Sequence, residues 1–201
     1  ARDGDINDYE GLAAAAGRYA LDIGLAKPAR AAFAVLAEAE PPAARCRGLI
    51  GLAAADRMSA DIPQAMASLR AAEPIAATLE DPALLSEICY LRGNLHFALG
   101  QADECLAEHE RALAAAERAG LPEWKARARS GIGDAYYMQG RFRSSSEQFM
   151  QTVELAKAHN LLRIVWPNQA MAGNTAFYTL ELDRAFAMVD GARQVAVEDH
   201  D

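Results

Sequence analysis

An all-α chain of stacked helical hairpins is the fold class that this sequence predicts, on three observations. The 201 residues are 52% hydrophobic but only 7% aromatic, and alanine supplies much of the apolar content. Alanine costs no side-chain entropy in a helix, while valine and isoleucine are too scattered here to build a sheet. Glycines recur at a fixed interval: Gly93 and Gly100 return as Gly133 and Gly140 40 residues later, with Gly173 a further 40 on. Prolines fall where helices are expected to start: Pro28, Pro63, Pro122 and Pro167. A period of this length marks a repeat architecture, whose units bury their apolar faces only by stacking.

The same register extends through the chain. Twelve residues after each first glycine stands a small residue: Cys105, Ser145, Ala185. Then come His109, Phe149 and Val189, followed by Ala112, Thr152 and Ala192. Stepping back gives Ala53, Ala65, Leu69 and Ala72, and a shorter step of 36 gives Gly17, Gly24, Ala29, Phe33 and Leu36. Five units result, over about 10–44, 46–83, 86–121, 126–161 and 166–198, within a single domain spanning 1–201. Each reads as two helices. Gly24, Gly100 and Gly140 stop the first helix as left-handed residues, and Gly120 and Asn160 stop the second. Asp103 and Asp183 are placed to cap second helices, Ser144–Ser146 to open one, and Pro74 to end the second helix of unit two early. Slim residues in the first-helix slot (Gly17, Ala53, Gly93, Gly133, Gly173) let paired helices touch at their crossing.

This pattern of small, aromatic, small, bulky and small residues resembles the tetratricopeptide repeat (TPR). The fourth unit carries it most fully, in Ile132, Gly133, Tyr136, Gly140, Ser145, Phe149 and Thr152. The resemblance covers about residues 10 to 198 and implies a right-handed α-solenoid of about five antiparallel helix-turn-helix repeats. The family's tryptophan slot holds Cys89 and Arg129, and Arg92 stands where leucine is usual. More narrowly, "YLRGNLHFALGQADECLAEHERALAAAERAG" and "ARSGIGDAYYMQGRF" look like the C-terminal repeat region of bacterial signalling proteins. Those proteins carry an adenylate/guanylate cyclase domain and an AAA-type ATPase module upstream. That resemblance implies a longer parent chain and gives these 201 residues no activity of their own. The absence of a starting methionine and the ending "VAVEDHD", inside the last predicted helix, fit an excised piece.

A net charge of −8 argues against nucleic acid or an anionic membrane as partner. No apolar run approaches a membrane span, and "ARDGDINDYE" is no signal peptide. Three cysteines without framework spacing fit buried thiols in a cytoplasmic protein. Cys89, His96, Cys105 and His109 formally make a Cys₂His₂ set, so a metal- or small-ligand-sensing domain is the alternative reading. Each of the four occupies a slot that ordinary packing residues fill in other units, however, which favours packing and no metal or other cofactor. "HERAL" lacks the second histidine of a zinc-protease motif, and no phosphate-binding loop occurs, so no catalytic residue is assigned.

Binding is expected on the first helices, which the resemblance places inside the arc. Asn94, Asp134 and Asn174 recur there at 40-residue steps, with Phe97, Tyr137 and Phe177 three positions further on. Polar groups in such a ladder could hydrogen-bond a peptide while the rings bury its side chains. Tyr90, Arg127 and Met138 border it. Lys125, Arg127, Arg129, Arg141 and Arg143 are the one basic concentration. The expected function is a non-catalytic protein-interaction or regulatory scaffold with a protein or peptide in this groove. Self-association, and contact with other domains of the parent chain, stand as further partners.

Overall fold

The computed structural model describes the backbone of residues 2–198 and the side chains of residues 10–197. The stretch "ARDGDINDYE", apart from Glu10, and the end of "VAVEDHD" therefore lie outside the described side chains. Ten α-helices follow one another without a strand among the described residues. They are α1 (Arg2–Asp22), α2 (Ala26–Ala37), α3 (Pro42–Met58), α4 (Ile62–Thr78) and α5 (Pro82–Ala98). After them come α6 (Ala102–Ala119), α7 (Pro122–Met138), α8 (Phe142–Ala158), α9 (Leu162–Tyr178) and α10 (Leu182–Glu198). The first helices start at Pro42, Pro82, Pro122 and Leu162, four residues ahead of the bounds read from the interior glycines. The helices form two compact units, one ending at Leu95 and the other beginning at His96.

Helix length is set by the turns. Ala60, Glu80, Gly100, Gly120, Gly140, Asn160 and Leu180 all have positive φ, one every 20 residues. A left-handed residue closes the last turn of a helix and redirects the chain, and glycine does so without a Cβ penalty. Ala60, Glu80 and Leu180 accept that conformation at a cost of roughly 1–2 kcal/mol each. Seven of the ten helices are therefore 17 residues long, or about 25 Å.

Packing within each unit follows the slim slots. A Cβ on Gly17 would lie 2.7 Å from the Phe33 ring, one on Gly133 2.7 Å from the Phe149 ring, and one on Gly173 2.9 Å from Val189. In each case the bulky residue of the second helix sits over the slim residue 16 positions before it. A second layer was not read from sequence: the Phe33 ring also abuts Gly51, and the His109 ring abuts Gly131. Each of these rings thus reaches the first helix of the following hairpin. Gly48 is needed for another reason, since its Cβ would meet the backbone of Leu36 and Ala37 at the end of α2.

In the first unit, Ala20, Ala29, Phe33, Leu36, Ala44 and Ala55 make one core. Cys46, Ile50, Leu69, Ala72, Leu84, Ile88 and Leu95, from α3, α4 and α5, contribute to the next. The second unit has its own, built on Ala126, Val153, Ala156, Ile164 and Val165. Arg92, in the usual leucine slot, is buried and grips Glu73 of α4 through two hydrogen bonds at 2.8 and 3.3 Å.

Several local expectations are corrected. Pro74 does not end α4, which runs on to Thr78. The carbonyl that Pro74 cannot serve belongs to Arg70, an exposed residue. The buried Ala72 and Ala76 keep the helix docked around it. Pro167 likewise lies inside α9. The cap of α6 is Gln101, and Asp103 in its first turn instead accepts a hydrogen bond from Gln139 Nε2 at 2.8 Å. Asp61 and Asp81 do cap helices, accepting the amides of Gln64 and of Ala83 and Leu84. The serine run does not open α8, which starts at Phe142; Ser145 Oγ instead donates across the crossing to Gly133 O at 2.8 Å.

Because Phe149 is fully buried and cannot retreat, Gly133→Ala should cost on the order of 1–3 kcal/mol in urea unfolding. Gly11→Ala, where a Cβ meets nothing within 4 Å, should be neutral or gain up to about 1 kcal/mol. Equal behaviour of the two variants would contradict the crossing described above.

Candidate functional site: the face of the first helices

Within each unit the first helices touch one another across the intervening second helix, α1 with α3 and α7 with α9. They therefore line the more tightly packed side of the local stack. Of the residues expected to form the site, α7 carries Arg127, Asp134, Tyr137 and Met138, and α9 carries Asn174 and Phe177.

The structure joins part of the predicted ladder. Asn174 Nδ2 donates to Tyr137 Oη at 3.4 Å, so one amide and one ring of adjacent repeats meet directly. Tyr137 packs edge-on against Phe142 (5.5 Å between centroids) and Tyr178 (6.0 Å), and those two rings stack at 4.7 Å. Phe177, 57% exposed, meets this cluster only by an edge contact to Tyr178. Tyr137, Phe142 and Tyr178 thus form one aromatic group, with Phe177 at its edge. A hydrogen bond with Tyr137 raises the Tyr178 phenol above its usual range.

Asp134 is half-buried and makes no hydrogen bond or ion pair among the described residues. Burial pushes its carboxyl up to about 7. The same carboxyl lies close enough to Cys105 to add to the burial that raises that thiol to about 12. Arg127 lies further back along α7, tied to Glu123 at 2.7 Å and resting 5.6 Å from the Trp124 ring centre. Met138 is half-buried in the last turn of α7.

The rungs on α5 are described within their own units. Tyr90 packs against the core of the first, where Asn94 is half-buried. Phe97, in the second, is 43% exposed in the last turn of α5.

The Cys/His residues are placed in two units, Cys89 in the first and His96, Cys105 and His109 in the second. His96 Nδ1 bonds Gln101 Oε1 at 2.7 Å at the turn. Cys89 and Cys105 are buried, and His109 packs on Gly131, where burial pushes its imidazole down to about 4. Among the described residues no group of three or more His, Cys, Asp or Glu is disposed to hold a metal ion. The basic concentration disperses as well. Arg129 bonds Gln151 at 2.7 Å, Arg141 lies 4.1 Å from the Tyr136 ring centre, and Arg141 and Arg143 both line a cleft beside Phe142. No helix among the described residues is long and apolar enough to cross a membrane.

A neutral His109 has a predictable signature. Its folded pKa of about 4 lies below the 6.5 of the unfolded chain. The stability it contributes is whole above 6.5 and is lost as pH falls toward 4. Asp134 works oppositely, since its raised pKa lowers stability as pH climbs from 3.8 to about 7. In an Asp134→Asn background, urea midpoints should therefore fall on acidification through that window. Adding His109→Leu, which copies the Leu69 slot, should flatten the fall; an equally steep profile would contradict a buried neutral imidazole.

Comparison with known proteins agrees with this architecture. Residues 85–158 match the tetratricopeptide repeat family model. Curated protein sequences yielded no match of significance. Among solved structures, aspartyl phosphate phosphatase F from Bacillus subtilis is similar at a TM-score of 0.78 and 16% identity, over 92% of this chain and 50% of that one. A signal transduction ATPase with numerous domains and a tetratricopeptide repeat sensor, from Pyrococcus horikoshii, is similar at 0.79 and 16% identity, over 95% and 30%. The TPR-like repeats of a putative kinesin light chain from Podosopora anserina are similar at 0.67 and 17%, over 98% and 96%. The chain thus spans half or less of the first two of these proteins. Ten helices among the described residues, a match to the repeat in the middle of the chain, and these likenesses together give an all-α fold of tetratricopeptide-like helical hairpins.

Proposed function

We propose that the chain is a non-catalytic interaction scaffold that holds a peptide or protein partner on the face of its first helices. One observation carries this reading: the Asn174–Tyr137 contact at 3.4 Å joins the amide and aromatic positions of adjacent repeats into one surface. Beside it stands Asp134, whose carboxyl has no partner of its own. Backbone amides and carbonyls of a bound strand would find donors and acceptors there, and its side chains would find the Tyr137, Tyr178 and Phe142 rings. Tyr90, Asn94 and Phe97 extend the same expectation onto α5.

The five hairpins act in this reading as one cytoplasmic domain within a larger bacterial signalling protein of cyclase type. The likeness to an ATPase whose repeats are called a sensor supports a regulatory role, as does the partial coverage of that chain. Peptides selected from a displayed random library against the wild-type chain supply the test. Asp134→Ala combined with Asn174→Ala should weaken their binding about tenfold while leaving helicity unchanged, in line with one or two lost hydrogen bonds. Unaltered affinity would move binding off this face.

A further inference from the structure

We infer that a second binding site, separate from the face of the first helices, lies where the α7–α8 and α9–α10 turns meet, and that it takes a single carboxylate of an acidic peptide side chain. A cleft of about 200 Å³ there is lined by Arg143, Ser146 and Glu147 of α8 and by Thr179, Glu181 and Arg184 of the facing turn. A second lobe of about 350 Å³ shares Arg143 and Thr179 and continues past Arg141 and Phe142. Together they make a trough longer than one residue, with a charged end and an aromatic end.

The charged end has donors without acceptors. Glu181 is already held, accepting from Arg184 at 2.8 Å and from Thr179 Oγ1 at 3.1 Å. Arg143 makes no hydrogen bond among the described residues and acts on Glu181 only through space. Ser146 is only 7% exposed, yet its hydroxyl has no hydrogen-bond partner. Leaving a buried hydroxyl unsatisfied costs stability, so the fold itself gives no reason for serine at this position. Because that hydroxyl makes no bond, turning it about χ1 toward the cleft breaks none. A guanidinium and a hydroxyl donor side by side select an oxygen anion.

The balance of charge selects which anion. Two arginines and two glutamates line the smaller lobe, so its formal charge is zero. The dianion of a phosphate would meet the Glu147 and Glu181 carboxylates with twice the repulsion of a single carboxylate. The aromatic end, where Phe142 stacks on Tyr178 at 4.7 Å, suits an apolar residue next to the acidic one. The ligand class is therefore an acidic residue flanked by aromatic or large apolar ones in an extended segment. This inference rests on a protein or peptide partner in general and not on the ladder of the first helices.

The ¹⁵N-labelled chain titrated with acetyl-Phe-Asp-Phe-amide tests it by NMR. The expected result is saturable shifts at the amides of residues 143–147 and 179–184, with acetyl-Phe-Asn-Phe-amide at least tenfold weaker. Arg143→Gln should bring the aspartyl peptide down to the level of the asparaginyl one. Ser146→Ala should weaken binding several-fold while its melting temperature stays equal or rises, which a purely structural serine would not do. Inorganic phosphate should not compete at equal concentration, and Asp134→Ala with Asn174→Ala should leave this binding intact. Equal affinity of the two peptides, indifference to Arg143→Gln, tighter binding of phosphate, or loss of binding in the ladder variant would each overturn the site.

Discussion

In three of the hairpins the second helix carries a bulky side chain that must find room against its first helix, and the room comes from a glycine. Phe33 over Gly17 and Phe149 over Gly133 show the arrangement, and Val189 beside Gly173 repeats it with a smaller partner. Removing the Cβ at the crossing brings the helix axes close, so that alanines further along both helices also reach contact distance. That explains why a chain with so few aromatics still has fully buried positions in both units, among them Ala29, Ala65, Ala112 and Ala172. Where the ring also reaches the next hairpin, as Phe33 does at Gly51, one side chain holds three helices, and His109 on Gly131 makes the same kind of contact from α6 to α7.

Regular turns convert this local fit into a surface. A left-handed residue every 20 positions gives helices of nearly equal length, so that equivalent residues of adjacent repeats arrive at similar heights. Tyr137 of α7 and Asn174 of α9 meet for this reason, although 37 residues separate them in sequence. The surface combines rigid rings and polar groups on helices whose packed faces lie elsewhere. Its chemistry can therefore vary without disturbing the crossings beneath.

The sequence was most informative where one residue type has one structural use. Glycines with positive φ and the slim-under-bulky pairs followed directly from spacing. It was least informative where the outcome depends on surroundings. Whether proline ends a helix depends on the packing around it, and at Pro74 the buried Ala72 and Ala76 keep α4 docked on both sides. Whether serine caps or bridges depends on where the helix begins, and α8 begins three residues before Ser145. The grouping of Tyr137 with Phe142 and Tyr178 was not legible either, since it depends on how side chains of three helices meet. The raised pKa of Asp134 has no sequence signal, since it comes from burial. The cleft at Arg143 and Ser146 was equally hidden, being assembled from two turns some 40 residues apart.

A double-mutant cycle between Gly133 and Phe149 measures the crossing most directly. Gly133→Ala and Phe149→Leu, alone and together, would be compared by urea unfolding, with the interaction energy taken as the departure from additivity. If the ring occupies the space a Cβ would need, the smaller leucine relieves the added methyl, and the double variant is more stable than the sum of the two losses by about 1 kcal/mol or more. Strict additivity would mean that the two positions do not share that space, and the account of how these hairpins close would be wrong.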